Sequence, residues 1–269
     1  MKISKLVKRL SLGLGILVVG ATLAACASNS SKSSNYKSDL NNSKEITIGL
    51  EGTYAPYSFR ENGKLTGFEV DLGKQIAKQI GVKAVFVPTK WDGLIAGLGS
   101  QKYDMVMNNI TPTPERKKAY LFSTPYVNSR YVMVSRSNDN SLKGVSDIKG
   151  KTFVQSTGTD NAVVAQKYGA KVVPVEQFQT QLEQIKQGRA DGAINSQGAV
   201  AAYAKSNSMK GLKTHLLTDK EQKPAPISAL FNKQDTKLRD RVNKAIKALI
   251  KDGTVSKLAI KYFGTDISK

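Results

Sequence analysis

The chain has 269 residues, 40% of them hydrophobic, enough for one large domain or for two lobes with cores of their own. Its 41 Lys and Arg against 21 Asp and Glu give a net charge of +20. Such a balance can serve nucleic acid, but the lysines are scattered along helical segments without interleaved aromatics, and an export signal at the start argues against that class.

Lys2, Lys5, Lys8 and Arg9 form a basic leader ahead of an apolar run from Leu10 to Leu23, which is of signal length and short for a membrane span. Residues 1–25 therefore read as a signal peptide. The run ends in Leu23-Ala-Ala-Cys26, which resembles the lipobox of bacterial lipoproteins. That resemblance implies that Cys26, the sole cysteine, is lipidated and anchors the chain in a bilayer. A lone cysteine cannot close an internal disulfide, whereas two acyl chains at ~0.8 kcal/mol per buried CH2 hold a protein stably on a membrane. Residues 26–43 are rich in Ser, Asn and Lys and read as a flexible tether. The expected location is extracytoplasmic, lipid-anchored to the cell membrane, with the Ser-rich leash suggesting a Gram-positive cell.

Along the rest of the chain, Glu45 to Leu50 alternates as a first strand. A loop with Tyr54 and Tyr57 follows, either aromatic free to wall a pocket or to pack. Asn62-Gly63 predicts a hairpin turn. A helix then runs to Ile80 and ends at Gly81, with Glu69 and Asp71 in its first turn complementing the helix dipole. Val82 to Val87 is a strand and Trp91 to Leu98 a short helix. Trp91, the only tryptophan, sits at that junction as core or as ligand cover.

The stretch from Asp104 to Arg116 organises the chain. It reads as a buried strand (Met105 to Met107), a polar turn (Asn108 to Thr113) stiffened by Pro112 and Pro114, and a helix start carrying Arg116. Strands that open onto such turns are where α/β folds place ligands. Asn109 and Thr111 offer polar side chains, and Arg116 offers a planar fork suited to a carboxylate; a plain surface arginine is the alternative.

Tyr131 to Val134 is apolar and extended, a crossing into a second unit. That unit repeats the strand–helix grammar: a strand at Thr152, a turn Gln155-Ser-Thr-Gly-Thr-Asp160 aimed at a helix N-terminus, and an anion site in its free N–H groups. Thr159 or Asp160 caps the helix, which leaves the other open to a ligand. A strand at Lys171, a helix to Gln187, a strand ending at Ser196 and a helix to Lys205 follow. Ile227 to Phe231 is the return crossing. Thr236 to Lys251 carries a 3.6-residue apolar stripe, and a short last helix precedes Phe263-Gly264. The expected fold class is α/β, with two hinge-linked lobes and the ligand cleft between them: 44–134 plus 232–269 as lobe 1 and 135–231 as lobe 2.

Several segments together resemble family 3 extracytoplasmic solute-binding proteins of amino-acid ABC importers, over residues 45–269. They are Gly67-Phe-Glu-Val-Asp-Leu72, Trp91-Asp-Gly-Leu-Ile95, Ile110-Thr-Pro-Thr-Pro-Glu-Arg116, Gly158-Thr159, Asp252-Gly-Thr and Tyr262-Phe-Gly264. Gly49-Leu-Glu-Gly-Thr-Tyr54, Lys64-Leu-Thr-Gly-Phe68, Pro88-Thr-Lys-Trp-Asp-Gly93 and Gly158-Thr-Asp160 are similar to cystine-binding members.

The resemblance implies a periplasmic-binding-protein-like fold, L-cystine as ligand with basic or other polar amino acids as alternatives, and a permease with its ATPase as partners. It implies that Arg116 and the N–H groups near Thr111 and Thr159 hold the carboxylate, that Tyr54 and Trp91 flank the side chain, and that Glu51 faces the ligand. Many relatives bind the α-ammonium with an aspartate five residues after the position of Asp191. Here that residue is Ser196, so Asn109, Ser196 and an acidic neighbour, Asp160 or Glu51, take the ammonium in its place.

Neither a metal-ligand cluster nor a phosphate loop nor a nucleophile–base spacing stands out, and no cofactor is implied. The single histidine, His215, reads as structural in a polar loop. A monomeric, non-enzymatic binding protein is expected; an enzyme is the main alternative class and a surface adhesin using the basic surface the second.

Overall fold

The structure of the protein is a computed structural model and describes residues 35–268. The signal segment, Cys26 and the tether up to residue 34 lie outside the described residues. Among the described residues no helix is long and apolar enough to cross a membrane.

The first lobe begins with β1 (Glu45–Leu50), whose Ile46, Ile48 and Leu50 are fully buried. A hairpin follows, β2 (Phe59–Glu61) against β3 (Lys64–Thr66), turning at Asn62 and Gly63 with both at positive φ. Next come α1 (Phe68–Ile80), β4 (Lys83–Pro88), α2 (Trp91–Gly99), β5 (Met105–Val106), α3 (Pro114–Ala119) and β6 (Tyr120–Phe122). Helix α1 buries Leu72, Ile76 and Ile80 and stops at Gly81, which is in the left-handed region.

β7 (Val127–Ser129) then leads into the second lobe. That lobe comprises β8 (Tyr131–Arg136), β9 (Thr152–Gln155), α4 (Asp160–Lys167), β10 (Lys171–Pro174), α5 (Phe178–Lys186), β11 (Gly192–Ser196), α6 (Gln197–Ser206) and β12 (Leu212–Leu216). β13 (Ala225–Ile227) returns the chain, and β14 (Leu230–Asn232), α7 (Thr236–Lys251) and α8 (Thr254–Phe263) complete the first lobe.

Each lobe holds one five-stranded sheet: β4-β1-β5-β14-β6 in the first and β10-β9-β11-β8-β12 in the second. β1 runs parallel to β4 and β5, and β9 parallel to β10 and β11; β14 and β8 enter antiparallel. Helix α7 lays Leu238, Val242, Ala245, Ile246 and Leu249 into the first core. Val132, Val134, Val154, Leu182 and Ile185 form the second. The lobes are joined by a ribbon in which β7 pairs antiparallel with β13. Asn128 N–H also donates to the Ile267 carbonyl at 2.8 Å, tying the C-terminal tail to the hinge. Behind the hinge, Gly198 of α6 lies so close to Phe263 that a Cβ would stand 2.7 Å from the ring.

Four expectations change. Tyr131 to Val134 is not the crossing but the body of β8, between β11 and β12. A strand buried on both faces reads as a continuous apolar run, as an extended link does. Ile227 to Phe231 divides: Ile227 ends the hinge ribbon, while Leu230 and Phe231 enter the first sheet.

His215 lies on edge strand β12, opposite Met133, and Nε2 contacts both carboxylate oxygens of Glu221 at 2.9 and 3.1 Å. The flexible tether does not extend to residue 43. Tyr36–Asp39 form a 3-10 turn with Tyr36 and Leu40 buried on the first lobe, and Asp39 Oδ2 accepts from the N–H groups of Lys237 and Leu238 at the start of α7. Two apolar side chains and one capping carboxylate outweigh the polar composition around them.

Candidate functional site: the cleft between the lobes

The loops that leave β1, β5, β9 and β11 at their C-terminal ends face one another across the lobes, where open α/β sheets gather ligand groups. After β5 the chain turns at Asn109, held at φ +51°. The cause is Glu69, fully buried on α1, whose oxygens accept the Asn109 N–H at 2.8 and 3.0 Å. Tyr126 donates its hydroxyl to the same carboxylate. Burial pushes the Glu69 pKa up to about 7, against the lowering effect of those bonds. Glu69 thus does more than complement a helix dipole, because it fixes the turn that carries Asn108 and Asn109. Asn108 in turn clasps Glu51: its Oδ1 accepts from the Glu51 N–H at 2.9 Å, and its amide donates to Glu51 Oε2 at 2.7 Å. Burial raises the Glu51 pKa, the Asn108 bond lowers it, and the charge of Glu176 raises it further.

The cleft encloses about 400 Å³. Of the expected site residues, Glu51, Tyr54, Trp91, Asn109, Thr159 and Asp160 line it, whereas Thr111, Arg116 and Ser196 stand beside it. Glu176, Asn195 and Tyr203 line it too and were not anticipated. Asn195 had a signal, since it directly precedes Ser196 at the end of β11.

Direct bonds join the lobes around this space. Trp91 Nε1 donates to the Thr157 carbonyl at 2.7 Å. Arg116 Nη2 donates to the Gly158 carbonyl at 2.9 Å and Nη1 to the Thr111 carbonyl at 3.1 Å, with the guanidinium 5.5 Å from the Trp91 ring centre. Burial lowers the Arg116 pKa, and Asp160 opposes that shift. Thr111 donates its hydroxyl to Asp160 Oδ2 at 2.9 Å, and Tyr131 donates to the same oxygen at 2.7 Å. Tyr54, stacked on Tyr57 at 5.2 Å, donates to Asn195 Oδ1 at 2.7 Å and lies 3.3 Å from Ser196 Oγ.

Thr159, one of the two candidate caps of α4, and Ser196 are both engaged locally as helix caps. Thr159 Oγ1 accepts from the Ala162 N–H at 3.1 Å and donates to the Ser156 carbonyl at 2.9 Å. Ser196 Oγ accepts from the Ala199 N–H at 3.2 Å, starting α6. Asp191 braces the base of β11, accepting from the Thr152 N–H at 2.8 Å and pairing with Arg136 at 3.2 Å. Among the described residues no group of three or more His, Cys, Asp or Glu could hold a metal ion.

Residues 46–265 match the family model of bacterial extracellular solute-binding proteins, family 3. The L-cystine-binding protein TcyA of Bacillus subtilis (strain 168) is 38% identical over 271 residues, spanning 97% of this chain and 100% of that protein. An ancestral arginine-binding protein bound to arginine is 34% identical and superposes with a TM-score of 0.76, covering 82% of this chain and 99% of that one. The L-cystine solute receptor of Neisseria gonorrhoeae, in the unliganded open conformation, is 35% identical but has a TM-score of only 0.57, covering 84% of this chain and 94% of that one. Near-equal identity with a lower score against an open form agrees with the bonds across the cleft: the lobes here are closed.

Proposed function

Because the chain belongs to the bacterial extracellular solute-binding proteins of family 3, we propose that it captures a free amino acid, L-cystine foremost, and presents the closed form to an ABC permease. The observation that carries this is the cleft itself, with Glu51, Tyr54, Trp91, Asn109 and Asp160 on its walls and lobe-to-lobe bonds at its rim. No bond is made or broken in this role. Among the described residues Arg116 donates to the Thr111 and Gly158 carbonyls, and the other N–H donors of its guanidinium would serve a carboxylate. In the turn before α4 the Thr157 and Thr159 N–H groups are taken by Glu176 and the Ser156 carbonyl, so the Gly158 and Asp160 N–H groups would be the ones to meet the same anion. Tyr54 and Trp91 flank the side chain, and lobe closure creates the surface that the permease reads.

Kinship to TcyA supports cystine. A basic amino acid is the second reading, favoured by Glu51 and Glu176 on the cleft walls and by the arginine-bound ancestral structure. In either case we place the protein at the membrane as a monomer, tethered through a lipid on Cys26.

Calorimetry of the purified protein against cystine, cysteine, arginine, lysine, glutamine and glutamate tests the ligand. Tight binding of cystine alone supports the first reading, a win for arginine or lysine supports the second, and silence across the panel refutes both. Release of a Cys26→Ala variant into the medium tests the anchor.

A further inference from the structure

An α-amino acid carries its two charges on one carbon, so a site that reads both must set an anion partner and a cation partner side by side. Three carboxylates line the cleft: Glu51, Asp160 and Glu176. Glu176 is committed to its own lobe, since both its oxygens accept from the Thr157 N–H and one accepts from the Thr157 hydroxyl. Glu51 is held through Oε2 by Asn108, and no bond among the described residues ties it to those around Arg116. Asp160 differs in its place beside the guanidinium. It follows Gly158, whose carbonyl Arg116 holds, by two residues, and its charge acts on Arg116 although the two form no ion pair.

Its Oδ2 is oriented by the Thr111 and Tyr131 hydroxyls, while Oδ1 accepts from no group among the described residues. Asn109 lines the same cleft, and its buried Oδ1 has no hydrogen-bond partner among the described residues. A buried acceptor without a donor is costly unless a ligand supplies one. The end of β11 offers no competitor: Asn195 Oδ1 already accepts from Tyr54 and from the Ser196 N–H, and Ser196 Oγ is the helix cap.

We infer that Asp160, with Asn109 Oδ1 lining the same cleft, receives the α-ammonium of the ligand, leaving Glu51 to the side chain. The inference rests on the amino-acid reading above. It makes a free amino group obligatory. It also puts that group on the seam between the lobes, because Thr111 of the first lobe orients the same carboxylate.

The test is calorimetry of the purified protein and three variants, with thermal melting as the check on folding. The ligands are cystine, arginine and their deaminated analogues, 3,3′-dithiodipropionate and 5-guanidinopentanoate. D160N is expected to weaken every amino acid that the unmodified protein binds by about 100-fold, as loss of one partner of a buried charge pair does. T111V, which removes only the orienting hydroxyl, is expected to cost about tenfold or less. E51Q is expected to change the ranking of side chains while the amino-group requirement persists.

Binding by D160N within about fivefold of the unmodified protein overturns the inference. So does equal damage from T111V, which would make Asp160 a seam residue alone, and so does tight binding of either deaminated analogue. If the unmodified protein binds no amino acid, the underlying reading fails and the inference falls with it, an outcome distinct from the other three.

Discussion

Glu69→Gln separates the charge of the buried anchor from its shape. Glu69 is fully buried, and burial lifts its pKa from an ordinary 4.5 to about 7 in the fold. Between those two pH values the folded chain keeps a proton that the unfolded chain has lost. Stability therefore falls as pH rises through that window and stays lower above it. A rise from 4.5 to about 7, at about 1.36 kcal/mol per unit, sets this group's share of the fall at no more than about 3.4 kcal/mol. Glutamine matches the protonated acid in having one acceptor oxygen and a donor, so at pH 5 the variant is expected within about 1 kcal/mol of the parent. At pH 8 the parent carries the buried charge and the variant does not. Urea unfolding of both proteins at pH 5 and pH 8 is the assay, and the expected result is a pH-dependent loss that is smaller in the variant by about 2–3 kcal/mol. Identical losses would refute the argument that Glu69 titrates within the fold.

Arg116→Ala removes the guanidinium from Thr111, Gly158 and Trp91. Calorimetry is expected to show amino-acid binding weakened by about 2–5 kcal/mol, and near-normal affinity would sink the carboxylate assignment. Tyr54→Phe deletes the bond to Asn195 that crosses the cleft; a cost of about 0.5–1.5 kcal/mol in ligand affinity is expected, with small-angle scattering shifting toward the open form. Asp39→Ala takes the carboxylate from the first N–H groups of α7. A loss of about 0.5–2 kcal/mol in denaturant unfolding is expected, and no loss would mean that the segment before β1 is not part of the fold.

The pattern along the chain reveals most where one face of an element meets the core. Helix α7 is legible over its full length because Leu238, Val242, Ile246 and Leu249 repeat at helical spacing against an otherwise polar face. β8 is not, because its first five residues, Tyr131 to Ser135, are all buried and its sequence has no alternation to read. β12 escapes notice for the opposite reason: an edge strand with Lys213 and His215 along it looks like a polar loop.

In the site, the turns after the strands are visible because strand, Gly or Pro, and helix start follow one another locally. The pairs that span the cleft are not. Thr111 meets Asp160 across 49 positions and Tyr54 meets Asn195 across 141, and no local period encodes either. The sequence shows Glu69 as a carboxylate in the first turn of α1, and only packing reveals that it is buried beneath a ligand loop.

The order of strands in the first sheet has a consequence for synthesis. The second sheet is complete once residue 216 has emerged, because all its strands lie between Tyr131 and Leu216. The first sheet cannot close then. Among the described residues β6 pairs with β14 alone, and β14 also borders β5, so the sheet stays divided until Leu230–Asn232 arrives. Helix α7, which covers its core, comes later still. A growing chain therefore holds a finished middle and an unfinished beginning until nearly its last residues are made. For a member of an extracellular family, that order makes the first sheet the last part of the fold to lock.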